Sequence, residues 1–293
     1  MPQMKTAVQQ IMLGKVCTSM EQAAAALDAV KNAGYGGIEL NRFMIHPSPF
    51  VVRVLTKAAG MPAGKSGNLD WQTLVRNSGL EVTALHTDLA SLEKEPEAVI
   101  ADVEAFGTGR LVITGMYRFD YRDRKTVREL AQRLNKAGKQ LKDRGLRLYY
   151  HNHNAELQRV SEDECAMDVL FSETDPELVS FELDTYWLAE AGADPLEWME
   201  KAGERMGMWH VSDRGTRLKK APMTPMLTSD SLELGFGNMP LRKLAGQAVR
   251  NGTEVIVLET HRNWADGSPL KSIGLSAPMM AELSGTEEKE DNN

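Results

Sequence analysis

Residues 146–156, which read LRLYYHNHNAE, join an apolar run to side chains that bind metals and transfer protons. The run ends in His151 and His153, two of only six histidines in the chain, and Glu156 follows three residues later. A buried strand that ends in imidazoles and a carboxylate is typical of a metal site or an acid–base site. Such a site needs partners, so the elements that position this segment must be found first.

Composition restricts the class of protein. The chain has 293 residues, 42% of them hydrophobic, which suits one large domain or two medium ones. A net charge of −7 without a basic block argues against nucleic-acid binding. Cys17 and Cys165 form no CxxC pair, and no apolar stretch reaches the roughly 18 residues that span a membrane. The start of the chain has no signal-peptide pattern, so we expect a cytoplasmic protein.

Short apolar runs alternate with helix-like segments along the chain. Eight runs have strand character: residues 6–13, 36–40, 81–86, 110–115, 146–151, 178–184, 206–211 and 253–260. A helical pattern follows each run, and the first lies between Ser19, a suitable N-cap, and Gly34, a helix stop. This alternation predicts a parallel sheet with right-handed crossovers. Eight units indicate a (β/α)8 TIM barrel rather than an open α/β sheet, and no GxGxxG follows the first run.

Two long loops interrupt the alternation. Residues 41–69 follow the second strand, and residues 213–240 follow the seventh. Both loops would lie on the barrel face where active sites form, and such loops usually act as lids or bind ligands. We expect a single TIM-barrel domain over residues 1–285 and a disordered acidic tail over residues 286–293.

Ionisable residues recur at the predicted strand ends. In chain order these residues are Glu39, His86, His151, Asp184, His210 and Glu259, and His153, Asp213 and His261 follow just beyond. Any one of them can simply satisfy backbone groups at a strand end. Strands five to eight are neighbours in a barrel, however, and their ends bring two imidazoles and two carboxylates together. This mixed N/O set predicts a site for one divalent ion such as Mn²⁺, Co²⁺, Zn²⁺ or Fe²⁺.

Five segments resemble a known family. YHNHNAE, FELDTYWLAEAGADP, WHVSDRG, LELGFGNMP and VIVLET are similar, in matching order over nearly the whole chain, to the sugar-phosphate isomerase/epimerase family with the xylose isomerase-like TIM barrel. The resemblance implies one divalent ion, preferably Mn²⁺, with His151, Asp184, His210 and Glu259 as its ligands. It also implies that His153 faces the substrate.

The strand-five position departs from the family pattern. The family most often has Glu where this chain has His151, and many members use the glutamates of strands five and eight as paired acid–base groups. Here one of that pair is an imidazole. The candidate bases are therefore His153, Glu156 and Glu259. The candidate sugar contacts are Glu39, His86, Trp187, Asp213 and His261, with Trp187 placed either in the core or, preferably, as a wall against the sugar ring.

Three functions fit these residues. The first is a metal-dependent isomerase or epimerase that abstracts a proton from a keto sugar and forms an enediolate. The second uses the same abstraction but ends in cleavage, as in relatives that act as 3-keto-glycoside lyases or as C-glycoside deglycosidases with a small partner subunit. The third is an inactive metal-binding scaffold. The acidic charge disfavours a DNA-repair endonuclease. We expect a sugar or glycoside ligand, no nucleic acid or membrane partner, and a homo-oligomer or a hetero-oligomer with a small subunit.

Overall fold

The computed structural model describes residues 3–47, 66–116, 118–217 and 223–285. Its strands are β1 (Lys5–Gln9), β2 (Gly37–Asn41), β3 (Glu81–Thr87), β4 (Arg110–Thr114), β5 (Arg147–His151), β6 (Val179–Asp184), β7 (Met206–Val211), β8 (Asp213–Gly215), β9 (Asp230–Leu232) and β10 (Val255–Leu258). Its helices are α1 (Met20–Asn32), α2 (Arg42–Ile45), α3 (Trp71–Ser78), α4 (Leu89–Lys94), α5 (Pro96–Ala105), α6 (Arg124–Lys142), α7 (Ala166–Glu173), α8 (Thr185–Glu190), α9 (Pro195–Ala202), α10 (Leu241–Asn251) and α11 (Pro269–Ser284).

Eight of these strands close into a parallel barrel. The order around the barrel is β1, β10, β7, β6, β5, β4, β3 and β2, so each barrel strand pairs with the next barrel strand along the chain and β1 pairs with β10. The predicted (β/α)8 fold is confirmed, and β10 is the predicted eighth strand. Closure leaves no free edge in this sheet and brings all eight carboxyl ends to one mouth.

Local structure differs from the prediction at the first strand and in the second long loop, and it agrees at the first helix. Residues 10–13, predicted to continue the first strand, form a 3₁₀ turn, because the Gln9 side chain accepts a hydrogen bond from the Ile11 amide at 2.8 Å. The predicted loop 213–240 contains the antiparallel pair β8 and β9. Ser19 caps α1 by accepting from the Gln22 amide at 3.2 Å.

Part of the predicted loop organisation falls on residues that are not described. Residues 48–65 of the first long loop, residues 218–222 of the second and the predicted tail over residues 286–293 lie outside the described residues. Within the described ranges, no helix combines the length and apolar character that crossing a membrane requires.

Every second side chain of a barrel strand points inward, and these inward side chains form layers in the barrel interior. Inward-facing apolar side chains pack together in the middle: Ala7, Ala84, Val112, Tyr149, Met208, Val255 and Val257. At the amino-terminal end, Glu254 forms ion pairs with Arg110 and with Arg147, whose Nη1 lies 2.5 Å from Glu254 Oε1. The other end carries the ionisable residues described next. One end is therefore closed by charge pairs, and the polar site lies at the mouth.

Candidate metal centre

Four residues from neighbouring strands meet at the mouth of the barrel. His151 and Asp184 end β5 and β6, His210 lies in β7, and Glu259 directly follows β10. One imidazole nitrogen or carboxylate oxygen from each residue lies within 4.8 Å of those of the other three, and all four residues are buried. The structure thus brings together the four metal ligands that the sequence predicts.

Asn152, between the two histidines of the HNH motif, holds two strand ends together. Its Oδ1 accepts a hydrogen bond from the Asp184 amide at 2.9 Å, and its Nδ2 donates to the Asp184 carbonyl at 3.3 Å. Because successive strand residues face opposite sides, His151 points into the barrel while Asn152 points toward β6. Asn152 therefore fixes the spacing of His151 and Asp184, a role that the sequence reasoning missed.

Asp184 also begins a helix. Its Oδ1 accepts a hydrogen bond from the Trp187 amide at 2.9 Å and so caps α8. Burial raises the pKa of Asp184 to about 8, although the nearby His210 charge lowers it. A carboxylate that is costly to ionise when buried is stabilised by an adjacent cation.

A second group of ionisable residues lies in the same barrel and shares His210. It consists of Glu39, His86, Glu182 and His210, again with one donor atom each within 4.8 Å. Glu182 precedes Asp184 by two residues on β6, so both face the interior and Glu182 lies deeper. The sequence reasoning missed Glu182 because it considered only strand ends. An ionisable residue on the inward face of a buried strand was the available signal.

His210 links the two groups through its two ring nitrogens. Its Nδ1 lies 2.9 Å from Glu259 Oε2, and its Nε2 lies 2.6 Å from Glu39 Oε2. Burial lowers the pKa of His210, but Glu182, Glu39 and Glu259 outweigh burial and raise it well above its usual value. The interior around His210 is thus strongly negative, a field that favours cations.

Several buried polar atoms in these groups have no hydrogen-bond partner within the part of the chain that the structure describes. They are Glu39 Oε1, His86 Nε2, His151 Nδ1 and both carboxylate oxygens of Glu182. Glu182 Oε2 nevertheless forms ion pairs with His86 Nε2 at 2.9 Å and His151 Nδ1 at 3.1 Å. Imidazole nitrogens and carboxylate oxygens are ligands of borderline divalent ions, so the buried cluster suits a metal ion.

A ring of aromatic side chains lies beside the mouth. The centroid of the Trp187 ring is 5.8 Å from that of His153 and 5.7 Å from that of His261. The centroid of the His153 ring is in turn 5.0 Å from that of His151. Neither Trp187 Nε1 nor His261 Nε2 has a hydrogen-bond partner among the described residues. Both atoms are buried, and His261 Nε2 lies 3.7 Å from Glu259 Oε1.

Glu156 lies behind His153. Its Oε2 accepts from the His153 amide at 3.0 Å, and its Oε1 accepts from the Tyr150 hydroxyl at 2.8 Å. Tyr121 extends this network, because its hydroxyl lies 3.0 Å from that of Tyr150. A Cβ at Gly115 would come within 2.8 Å of Glu156 Oε1 and 2.9 Å of His153 Nδ1, so glycine makes room for both. Glu156 is fully buried, and it fixes the backbone that carries His153.

Three predicted sugar contacts have different surroundings from those the sequence predicts. Asp213 accepts hydrogen bonds from the amides of Gly235, Gly237 and Met239 at 2.9–3.0 Å and thereby anchors the loop after β9. Glu39 and His86 lie inside the barrel, in contact with His210 and Glu182 respectively, because β2 and β3 turn them inward below the mouth. Their buried carboxylate and imidazole groups support the ligand cluster from beneath.

A parallel eight-stranded barrel with a buried imidazole–carboxylate cluster at its mouth defines an α/β-barrel protein suited to metal binding. The chain belongs to the xylose isomerase-like TIM barrel family, whose sequence profile matches residues 27–282. The predicted fold family is therefore confirmed.

Similar proteins include named dehydratases. An inosose dehydratase of Mesomycoplasma hyopneumoniae is 27% identical over 197 residues, which cover 64% of this chain and 61% of that protein. An inosose dehydratase of Clostridium tetani is 31% identical over 114 residues, which cover 39% of this chain and 37% of that protein. The chain thus matches less than two thirds of the length of these relatives, 61% for the first.

Solved structures share the fold at low identity. A sugar phosphate isomerase/epimerase from Parabacteroides distasonis gives a TM-score of 0.71 at 20% identity and covers 96% of this chain and 94% of that chain. A structure described as the IOLI protein with a bound zinc atom gives a TM-score of 0.66 at 12% identity, over 98% and 100% of the two chains. These likenesses show the barrel.

Proposed function

We propose that this protein is a metal-dependent enzyme that removes the proton next to the carbonyl of a keto sugar and isomerises or epimerises the sugar through an enediolate. The observation that carries the proposal is the position of His153. The centroid of its ring lies 5.0 Å from that of His151 and 5.8 Å from that of Trp187. A candidate base thus lies between a set of metal ligands and an aromatic wall. This arrangement suits a small polyhydroxylated carbonyl compound.

His151, Asp184, His210 and Glu259 would hold one divalent ion. Manganese is our preference from the family resemblance, with cobalt, zinc and iron as alternatives, and two imidazoles and two carboxylates suit all four ions. When bound, the ion acts as a Lewis acid that polarises the carbonyl and acidifies the adjacent C–H bond. Glu39 and Glu182 would orient the histidine ligands, since carboxylates commonly accept from the second ring nitrogen of such histidines.

His153 is the proposed base. Burial, with a further contribution from His151, lowers the pKa of His153 to about 3, so the ring is neutral at physiological pH. A neutral imidazole has a free lone pair that can accept the proton, but so low a pKa makes His153 a weak base in the metal-free protein. Glu156 would position it through the hydrogen bond to the His153 amide. Glu259, whose Oε1 lies 3.7 Å from His261 Nε2, is a second candidate base on the opposite side.

Trp187 and His261 would contact the sugar. Aromatic faces pack against the apolar faces of sugar rings, and Trp187 Nε1 and His261 Nε2, which make no hydrogen bond within the described residues, would hydrogen-bond to hydroxyl groups. Sugar recognition needs several such polar groups at an otherwise apolar wall. This pair supplies both parts at the barrel mouth.

Elimination is the second candidate function. Loss of a β-substituent next to a carbonyl begins with the same proton abstraction and does not need a second base on the opposite face. The imidazole of His151 lies where a second carboxylate would be needed for symmetric proton transfer, and the similar proteins include inosose dehydratases. The chain would then be a lyase of 3-keto glycosides or a C-glycoside deglycosidase, the latter with a small partner subunit.

Proton exchange in D₂O tests both reactions. The metal-loaded protein is incubated with a panel of keto sugars and 3-keto glycosides, and ¹H NMR follows deuterium uptake next to the carbonyl. We expect exchange with at least one compound, followed by an epimer or isomer in the first case and an unsaturated or cleaved product in the second. If metal is retained but no compound exchanges, the enzyme proposal fails and the scaffold alternative stands.

A further inference from the structure

The deeper of the two ionisable groups is built for a cation of its own. Glu39 and Glu182 approach His86 Nε2 at 3.0 Å and 2.9 Å, respectively. Distances near 3 Å are found between hydrogen-bonded atoms and also between ligands about 90° apart on one ion at about 2.1 Å from each. All three side chains are buried, with Glu39 and Glu182 fully so.

These contacts are ion pairs that lack well-aligned hydrogen-bond geometry. His86 Nε2 has no hydrogen-bond partner in the described part of the chain, although both carboxylates lie within 3.0 Å of it. Both Glu182 oxygens and Glu39 Oε1 also lack partners among those residues. By contrast, His210 Nε2 has hydrogen-bond geometry with Glu39 Oε2 at 2.6 Å. The His86 nitrogen thus faces two carboxylate oxygens, an arrangement that either a shared cation or a proton on His86 would satisfy.

The charge count points the same way. The two groups together contain four buried carboxylates, those of Glu39, Glu182, Asp184 and Glu259. One divalent ion at the mouth offsets two of the four negative charges. The remaining two lie at Glu39 and Glu182, and burying them requires either protons on His86 and His210 or a second cation. A second divalent ion offsets them and needs no change in the fold.

We propose that the barrel binds a second divalent cation beneath the first, held by Glu39, His86 and Glu182. His210 lies between the two ions: its Nδ1 faces the mouth and its Nε2–H donates to Glu39. The donor set of one imidazole and two carboxylates selects Mn²⁺, Fe²⁺, Co²⁺ or Zn²⁺ over Ca²⁺. The alternative is a single ion with protons on the imidazoles beneath it.

Metal stoichiometry distinguishes the two arrangements. The purified full chain is saturated with Mn²⁺ or Zn²⁺, desalted and analysed by native and inductively coupled plasma mass spectrometry. We expect about two ions per chain in the wild type, because each ion needs its own deprotonated ligand set. A wild-type stoichiometry of about one overturns the second site without touching the first.

Variants assign each ion to its group. We expect His86→Gln to retain about one ion, Asp184→Asn to retain about one, and the double variant to retain close to none. His46→Gln, which alters a half-exposed histidine, is the matched control and should keep both. If His86→Gln keeps the wild-type stoichiometry, the deep site is overturned. If a variant does not fold, as judged by circular dichroism, two-step release of metal from the wild type to a chelator decides the question.

Discussion

Glu182 Oε2 lies 3.1 Å from His151 Nδ1 on the adjacent strand, although the two residues are 31 positions apart in sequence. β5 and β6 pair in register at these positions, so the contact follows from the barrel itself. The chain thus has a carboxylate beneath the imidazole that replaces the usual strand-five glutamate. Glu182 therefore supplies negative charge beside His151, where a strand-five glutamate would otherwise carry it. The arrangement of the site leads to the following predictions.

Asp184→Asn should remove the ion at the mouth. We expect affinity for Mn²⁺ to fall by more than about 100-fold, beyond the effect typical of losing an outer-shell partner. The change isolates charge, since Asn is as good a helix N-cap as Asp and keeps the start of α8. Isothermal titration calorimetry gives the affinity. Asp194→Asn, at the N-cap of α9, is the matched control, and equal losses in both variants would contradict the assignment.

His153→Gln should abolish proton abstraction while it leaves the metal bound. A general base contributes about 10²- to 10⁴-fold, and we expect a loss of kcat in that range. Deuterium exchange of the responsive keto sugar measures the loss, and elemental analysis measures the metal. Retained exchange in this variant, with Glu259→Gln inactive but still metal-loaded, would move the base to the opposite side of the mouth.

Gly115→Ala should displace the proposed base. The added Cβ would come within 2.8 Å of Glu156 Oε1 and 2.9 Å of His153 Nδ1, closer than side chains tolerate. We expect a stability loss of about 1–3 kcal/mol by chemical denaturation and a larger fall in kcat than in metal affinity. Gly109→Ala is the control, because its Cβ would meet no atom within 4 Å. Equal effects of both changes would show that the site tolerates the methyl group.

The charge pairs at the closed end of the barrel should depend on pH. Hydrogen bonds from Arg147 lower the pKa of Glu254 to about 2, further aided by Arg110. The Glu254 carboxylate therefore binds a proton less tightly in the folded state than in the unfolded state. The ion pairs of Glu254 stabilise the folded state fully above pH 4.5, the pKa of this carboxyl in the unfolded chain. Their contribution is lost as the pH falls toward about 2, the pKa in the folded state.

Glu254→Gln measures this contribution. At pH 7 we expect the metal-free variant to be less stable by about 1 kcal/mol, the upper end for partly exposed pairs. The difference from the wild type should narrow as the pH falls from 4.5 to 2. Glu81→Gln, which removes a single exposed pair with Lys5, should change stability less. A gap that widens toward low pH would contradict the sign of this linkage.

Much of the fold and part of the site could be predicted from local patterns. Alternation of apolar runs and helices determines a parallel barrel, because buried parallel strands need helical crossovers. The position of a residue at a strand end then places it at the mouth. For this reason His151, Asp184, His210 and Glu259 could be grouped from sequence, although they span more than a hundred residues.

The deeper layer and the orientation of side chains beyond the strands were decided only by tertiary structure. Glu182 meets His86 because of barrel register and closure, which no local pattern encodes. Glu156 and Asp213 lie just past strand ends, where the period of two no longer determines direction. There, a hydrogen bond from the His153 amide three residues earlier holds Glu156 beneath His153, and amides more than twenty residues away make Asp213 a loop anchor. The sequence by itself determined which residues reach the mouth, while long-range packing decided which of them remain free to do chemistry.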